Sequence, residues 1–331
     1  MANKLSKLDL NNQPVVFKEF LTYMHAIKNK SLNTIYEYSL DLTIFFKFLK
    51  IHFGLVTDDT EFENIDINDL DVEFVKKVAL YDIYEYLAYM SSNRKNAAST
   101  RARKVACIRS YFKYMTNRAK YLEENPAADL DSPKLKQTLP RYLELDECKQ
   151  LLQTINKNPD TELRVRDYAI VTLFLNCGLR LSELVEINIS DIKSDTLVVT
   201  GKGNKERTVY LNQACILAIE NYIKIRPKDQ VKDRNALFLS KRKQRISNKT
   251  IQFLVKNYIK LAGLDETKFS VHKLRHTAAT IMYRYGETDL RTLQEILGHE
   301  QLATTQIYTH VSDKQKREAA KNNPLSHLED F

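Results

Sequence analysis

The chain has 331 residues, 43% of them hydrophobic and 28% charged, which allows two domains with a core in each and excludes a disordered or low-complexity protein. A formal charge of +9 suggests a polyanionic partner, and its distribution is uneven: nine bases and no acid lie between Arg94 and Lys120, eight acids and no base between Asp58 and Glu73. Four scattered cysteines with no CxxC pair, a polar start and no apolar run long enough for a bilayer lead us to expect a cytoplasmic, membrane-free protein.

Only seven glycines and seven prolines predict a mainly helical fold. Periodicity marks helices at Val15–Ile27, at Leu32–Leu49 behind a capping Ser31, at Leu80–Met90 and at Ser99–Thr116. The last of these carries Val105, Ile108, Phe112 and Met115 on one face, leaving Arg101, Arg103, Lys104 and Lys113 as candidate contacts to a polyanion. The acidic stretch up to about residue 70 reads as a loop or short elements. Prolines at 126, 133 and 140 punctuate a linker, so the expected division is 14–126, a linker at 127–141, and 142–331 with a C-terminal tail. Beyond the linker, helices are expected at Leu145–Ile155, Val165–Cys177, Ser182–Asn188, Gln213–Arg226, Asn248–Ala262, His272–Tyr285 and Asp289–Leu297. Thr196–Thr200 and Glu206–Leu211 alternate as two strands of a small antiparallel sheet, joined by a Gly201-Lys202-Gly203-Asn204 turn.

The chemistry concentrates in the second half. His272, Lys273, Leu274, Arg275 and His276 are consecutive, His299 lies 24 residues past Arg275, and Tyr308 nine further on. Arg180 stands at the mouth of a helix that Ser182 is expected to cap, with Glu183 three residues on to orient it, and Lys202 sits at a turn tip. An arginine grips phosphate oxygens through two parallel hydrogen bonds, a histidine moves protons near neutral pH, and a tyrosine can form a covalent intermediate. Together they suit attack on a phosphodiester by a side chain, with no metal and no nucleotide cofactor.

Each residue alone has a blander reading. Tyr308 is one of 18 tyrosines, Arg180 could serve a surface ion pair, and the glycine-lysine-glycine turn could be only a turn. His272 and His276 stand at zinc-pair spacing, but Lys273 replaces the glutamate that such a motif needs, and no Walker-type phosphate loop is present. His276 and His310 are read as structural.

The ordered series Gly178–Leu184, Thr200–Arg207, His272–His276, Leu297–His299 and Ile307–His310 resembles the full motif set of the tyrosine recombinases, the phage-integrase family. Leu32–Leu49 and the proline-punctuated linker resemble the Xer-type members, and the likeness spans roughly residues 14–325. The acidic stretch at Asp58–Glu73 looks like an insertion relative to the short Xer proteins.

That resemblance implies a mainly α, two-domain DNA clamp: an N-terminal core-binding helical bundle of the SAM-like type and an α-rich catalytic domain with a small antiparallel sheet. It implies Tyr308 as nucleophile, Arg180 and Arg275 on the phosphate, Lys202 as general acid, His272 as proton acceptor, His299 as hydrogen-bond donor and Glu183 in support. It further implies site-specific recombination through a 3′-phosphotyrosine and a Holliday junction, on duplex DNA with paired inverted half-sites. Four protomers, identical or of two kinds, would assemble there, with an accessory activating protein as a further partner and the nucleoid as the place. A type IB topoisomerase shares much of the catalytic set; the Xer-like N-terminal half argues against it.

Overall fold

The computed structural model describes residues 13–57, 59–134, 141–201, 205–286 and 288–298, and the chain divides into two compact units, Met1–Gln137 and Thr138–Phe331. The fold is mainly α with one three-stranded antiparallel sheet, as the sequence predicts. No helix among the described residues is long and apolar enough to cross a membrane.

In the first unit, helices α1 (Val15–Ala26), α2 (Leu32–His52), α3 (Val72–Lys76), α4 (Leu80–Ser92) and α5 (Ala98–Asn117) enclose an aromatic core. Ser31 starts α2 as expected, its hydroxyl accepting from the Thr34 N–H at 3.3 Å. Ile35, Leu42, Phe45, Phe46 and Leu49 recur at helical spacing on α2 and are fully buried. Burying each such side chain stabilises the fold by about 1.5–3 kcal/mol. The acidic stretch does more than connect. Its apolar members Ile67 and Leu70 join this core, as do Phe74 and Val75 just past it, and Lys50 on α2 donates to both Asp69 carboxylate oxygens, at 2.6 and 2.7 Å. Ala127 and Leu130, from the stretch read as linker, are buried in the same core.

In the second unit, α7 (Thr161–Cys177) is the central helix. Residues Ala169 to Leu175 are buried on every side, so the unbroken apolar run of the sequence becomes a helix with neighbours all around. Those neighbours include α6 (Leu145–Asn156), α9 (Gln213–Ile225) and α11 (Val271–Tyr285). Strands β1 (Ile192–Lys193), β2 (Thr196–Thr200) and β3 (Glu206–Tyr210) pair in that order, and β1 is a strand the sequence reading lacked. In the β2–β3 register Val199 faces Arg207 and Thr200 faces Glu206, while Gly201 N–H donates to Lys205 O at 2.7 Å and closes the mouth of the loop. Three more helices lie among the described residues of this unit: the short α8 (Leu181–Glu186), α10 (Asn248–Leu261) and α12 (Leu290–Leu297).

Candidate active site

Three sequence segments meet around one carboxylate. Glu183, on α8, is 1% exposed. Its Oε2 accepts from the Arg180 backbone N–H at 2.7 Å, and its Oε1 accepts from Arg180 Nη1 at 2.7 Å. Arg207 on β3 donates from Nη2 to Oε2 at 2.9 Å, and Arg275 Nη1 on α11 stands 3.9 Å from Oε2. This corrects the expected cap: α8 starts after Arg180, and the Glu183 carboxylate, not the Ser182 hydroxyl, accepts from the first backbone N–H. Burial alone pushes the Glu183 carboxyl up; the Arg207 charge and hydrogen bonds from Arg180 and Arg207 outweigh it and hold its pKa below the ordinary 4.5. A buried carboxylate with such partners stays ionised.

The arginines are fixed from their far sides too. Arg275 donates to Gly178 O and Leu297 O, both at 2.6 Å, and Arg180 Nη2 donates to Gly298 O at 2.6 Å. Gly178 and Gly298 end α7 and α12 in the left-handed conformation, at φ +59° and +63°. A Cβ at Gly298 would lie 2.9 Å from Arg207 Cδ, and one at Gly178 2.9 Å from a Leu297 methyl. Glycine is needed at both for the turn and for the close approach. Arg275 is 4% exposed, whereas the Arg180 side chain is 33% exposed and opens onto a cleft of about 780 Å³ that His272, Lys256 and Gln252 also line. Three guanidiniums against one carboxylate leave an excess of positive charge suited to a phosphodiester.

Of the expected catalytic residues, Arg180, Glu183, His272 and Arg275 are thus brought to one place. Lys202, His299 and Tyr308 lie outside the described residues. The residues before Lys202 and His299 lie at the cluster: a Cβ on Gly201 would sit 3.5 Å from Glu183 Oε1 and 3.6 Å from Arg180 Nη1, and Gly298 carries the carbonyl that Arg180 holds. Arg207 was missed. Its signal was strand alternation, which puts it on the same face as buried Val209, where a charge demands a partner.

A family model described as the phage integrase family matches residues 141–315. The chain belongs to the phage integrase family. Tyrosine recombinase XerC of Caldanaerobacter subterraneus subsp. tengcongensis is 54% identical over 323 residues, covering 98% of this chain and 90% of that protein. Tyrosine recombinase XerD of Yersinia pestis is 35% identical over 307 residues, covering 92% and 95%. Within the phage integrase family, then, the chain is an Xer-like tyrosine recombinase. Among solved structures, the XerH site-specific recombinase bound to palindromic difH substrate in a post-cleavage complex matches with a TM-score of 0.69 at 22% identity, over 93% of this chain and 95% of that one. The Tn1549 transposon integrase in complex with circular intermediate DNA matches at 0.68 and 17%, over 93% and 99%. Both likenesses are of fold.

His272 is exposed at the cleft and is one of the titratable groups of this phage-integrase site. Partial desolvation of its ring, then the charges of Arg275 and Lys273, push its pKa below 6.5, and its ring meets that of His276 edge-on at 4.6 Å. The imidazole is therefore neutral at pH 7 and able to accept a proton. The folded protein holds this proton less tightly than the unfolded chain, so the stability linked to His272 is complete above pH 6.5 and is lost as pH falls below it. An NMR titration of the DNA-free protein is expected to give a His272 midpoint below 6.5, with the acid limb of cleavage at sub-saturating DNA following it. A midpoint at or above 6.5 would remove His272 as a neutral acceptor.

The four bases expected to touch DNA in the first unit fare differently. Lys104 is withdrawn: it is 3% exposed and donates to Asp41 Oδ1 at 2.9 Å, because its place on α5 faces α2 rather than solvent. Arg103 also pairs with Asp41, and lies 3.7 Å from Glu37, so much of its charge is met inside the protein. The half-buried Arg101 donates to Asn96 O at 2.6 Å. Lys113 is exposed and lines a groove of about 510 Å³ with Lys28, Lys30, Arg118, Tyr23 and Tyr114, several of them bases that helix periodicity did not single out.

Proposed function

We propose that this recombinase cuts and rejoins duplex DNA by transesterification at Tyr308. The observation that carries the reading is the buried Glu183 carboxylate shared by Arg180 and Arg207, with Arg275 at 3.9 Å. A phosphodiester under attack gains negative charge on its non-bridging oxygens, and fixed guanidiniums favour that state without having to reorganise. In the proposed sequence the Tyr308 phenol attacks phosphorus while His272 accepts its proton. The bond to the 5′-oxygen breaks as Lys202 protonates the leaving group, and a 3′-phosphotyrosine and a free 5′-hydroxyl result. Arg180, Arg275 and His299 hold the phosphate. Religation reverses these steps with a new 5′-hydroxyl, so the bond energy is conserved and no nucleotide is consumed.

On this reading the first unit binds DNA, with affinity set chiefly by backbone phosphates and falling with salt, and the second performs the chemistry. Paired inverted half-sites, four protomers and exchange through a Holliday junction complete the proposal. The biological setting is chromosome-dimer resolution or integration and excision of a mobile element. A suicide substrate nicked near the scissile phosphate should trap a covalent adduct whose peptide maps to Tyr308, in the presence of EDTA. An adduct on another residue, or an undiminished one in Tyr308→Phe, would overturn the assignment.

A further inference from the structure

We infer that Arg207 is a positioning residue for Arg180: one side chain on β3 fixes both of the groups that hold the cleft-facing guanidinium. The inference rests on the proposed phosphate-binding role of Arg180. Arg180 is tied at two points, Nη1 to Glu183 Oε1 at 2.7 Å and Nη2 to Gly298 O at 2.6 Å. Arg207 reaches the far side of each. Its Nη2 donates to the other Glu183 oxygen, Oε2, at 2.9 Å, and its Nη1 donates to Ile296 O, two residues before Gly298. Its stem also packs against Gly298, where a Cβ would come within 2.9 Å of Arg207 Cδ and 3.1 Å of its Nε. Arg180, Glu183, Arg207 and the end of α12 thus close a ring, and the guanidinium offered to the phosphate is one of its members.

Without Arg207 both holds on Arg180 would loosen together. Arg275 Nη1, 3.9 Å from Oε2, would be drawn toward the oxygen that Arg207 leaves, and the carboxylate could turn with it. At the end of α12, Ile296 O, Leu297 O and Gly298 O are each gripped by a different arginine, Arg207, Arg275 and Arg180 in turn. These carbonyls form the negative end of the helix dipole, where cations are favoured. Loss of the first grip frees the turn that carries the third. Arg207 has its side chain 14% exposed against 33% for Arg180, and its Nε is buried with no hydrogen-bond partner among the described residues. Its two outer nitrogens therefore set its direction, and a lysine, with a point charge in place of a planar fork, cannot reproduce both bonds. A shift of about 1 Å in a group that meets the transition state can cost on the order of 10² in rate, so a loosened Arg180 should register in the chemistry.

The test compares wild-type protein, Arg180→Ala, Arg207→Ala and the double variant on two nicked suicide substrates. One has the natural scissile phosphate; the other has a methylphosphonate there, in which a methyl replaces one charged oxygen and less charge needs to be met. Single-turnover cleavage rates are read on both. Arg180→Ala should raise the methylphosphonate-to-phosphate rate ratio by on the order of 10²-fold over wild type. Arg207→Ala should raise it about tenfold or more, and the double variant should match Arg180→Ala alone. If Arg180→Ala leaves the ratio unchanged, its phosphate-binding role fails and the inference falls with it. If Arg180→Ala raises the ratio but Arg207→Ala slows both substrates equally, Arg180 keeps its role and Arg207 is merely structural. If the two effects multiply in the double variant, Arg207 acts independently of Arg180 and the inference is overturned. Should Arg207→Ala fail to fold, Arg207→Lys, alone and with Arg180→Ala, is read in the same way, with a rise confined to the Arg180 background supporting the inference and equal slowing refuting it.

Discussion

Replacing Glu183 with alanine should slow DNA cleavage by on the order of 10³-fold, the upper end of what loss of one hydrogen-bond donor to the phosphate causes. The reason is that the buried Glu183 carboxylate is bonded to Arg180 through both backbone and side chain, and to Arg207, with Arg275 close by. Without it three guanidiniums are left together with no counter-charge, one of them 4% exposed. Removing one member of a buried ion pair typically costs about 3–5 kcal/mol, so the second unit should also unfold at lower denaturant concentration. Glu183→Gln separates the effects, since the amide keeps the shape and one acceptor oxygen but not the charge. Its deficit in stability relative to wild type should be full above pH 4.5 and shrink as pH falls through the depressed folded pKa, where the native carboxylate itself becomes protonated. Wild-type cleavage by Glu183→Ala would sink this account of the site.

Asp41→Ala should destabilise the first unit by a similar amount, about 3–5 kcal/mol. Asp41 is 2% exposed on α2 and receives Lys104 at 2.9 Å and Arg103, both from α5. Alanine would strand the Lys104 ammonium at 3% exposure between two helices. Lys104→Met should cost less, because Asp41 keeps Arg103 and the flexible thioether replaces the lysine stem. It should also leave the salt dependence of DNA binding unchanged, as a lysine that neutralises a protein carboxylate releases no counterions from DNA. A weaker salt slope in Lys104→Met, with stability intact, would return Lys104 to the DNA-facing surface.

Local signals made much of this legible. The helices announced themselves through apolar spacing, Ser31 through its capping chemistry, and the hairpin through alternation around a glycine-rich turn. Identity of the chemistry came from residue types in order: Arg180, Glu183, His272 and Arg275 were all named before any geometry, and all four converge. What stayed hidden depends on which way a side chain turns once helices pack. Lys104 looked like part of a basic face because a charge count along α5 does not know that Asp41 waits on α2. Ser182 looked like a cap because serine commonly is one, while the longer reach of Glu183 moved the cap two residues earlier, to Arg180. Arg207 could have been found, had its inward register on β3 been weighed against the cost of burying a charge. The acidic stretch was read by its charges, whereas Ile67 and Leu70 are what anchor it in the core.

The backbone at the end of α12 has a use beyond closing a helix. Leu297 O is gripped by Arg275 and Gly298 O by Arg180. Tyr308 lies ten residues past Gly298, a leash that can span at most about 33–36 Å. The two arginines therefore also moor the near end of that leash. In the proposed reaction, loosening either one would cost twice, once in the charge offered to the phosphate and once in the address from which the nucleophile is delivered.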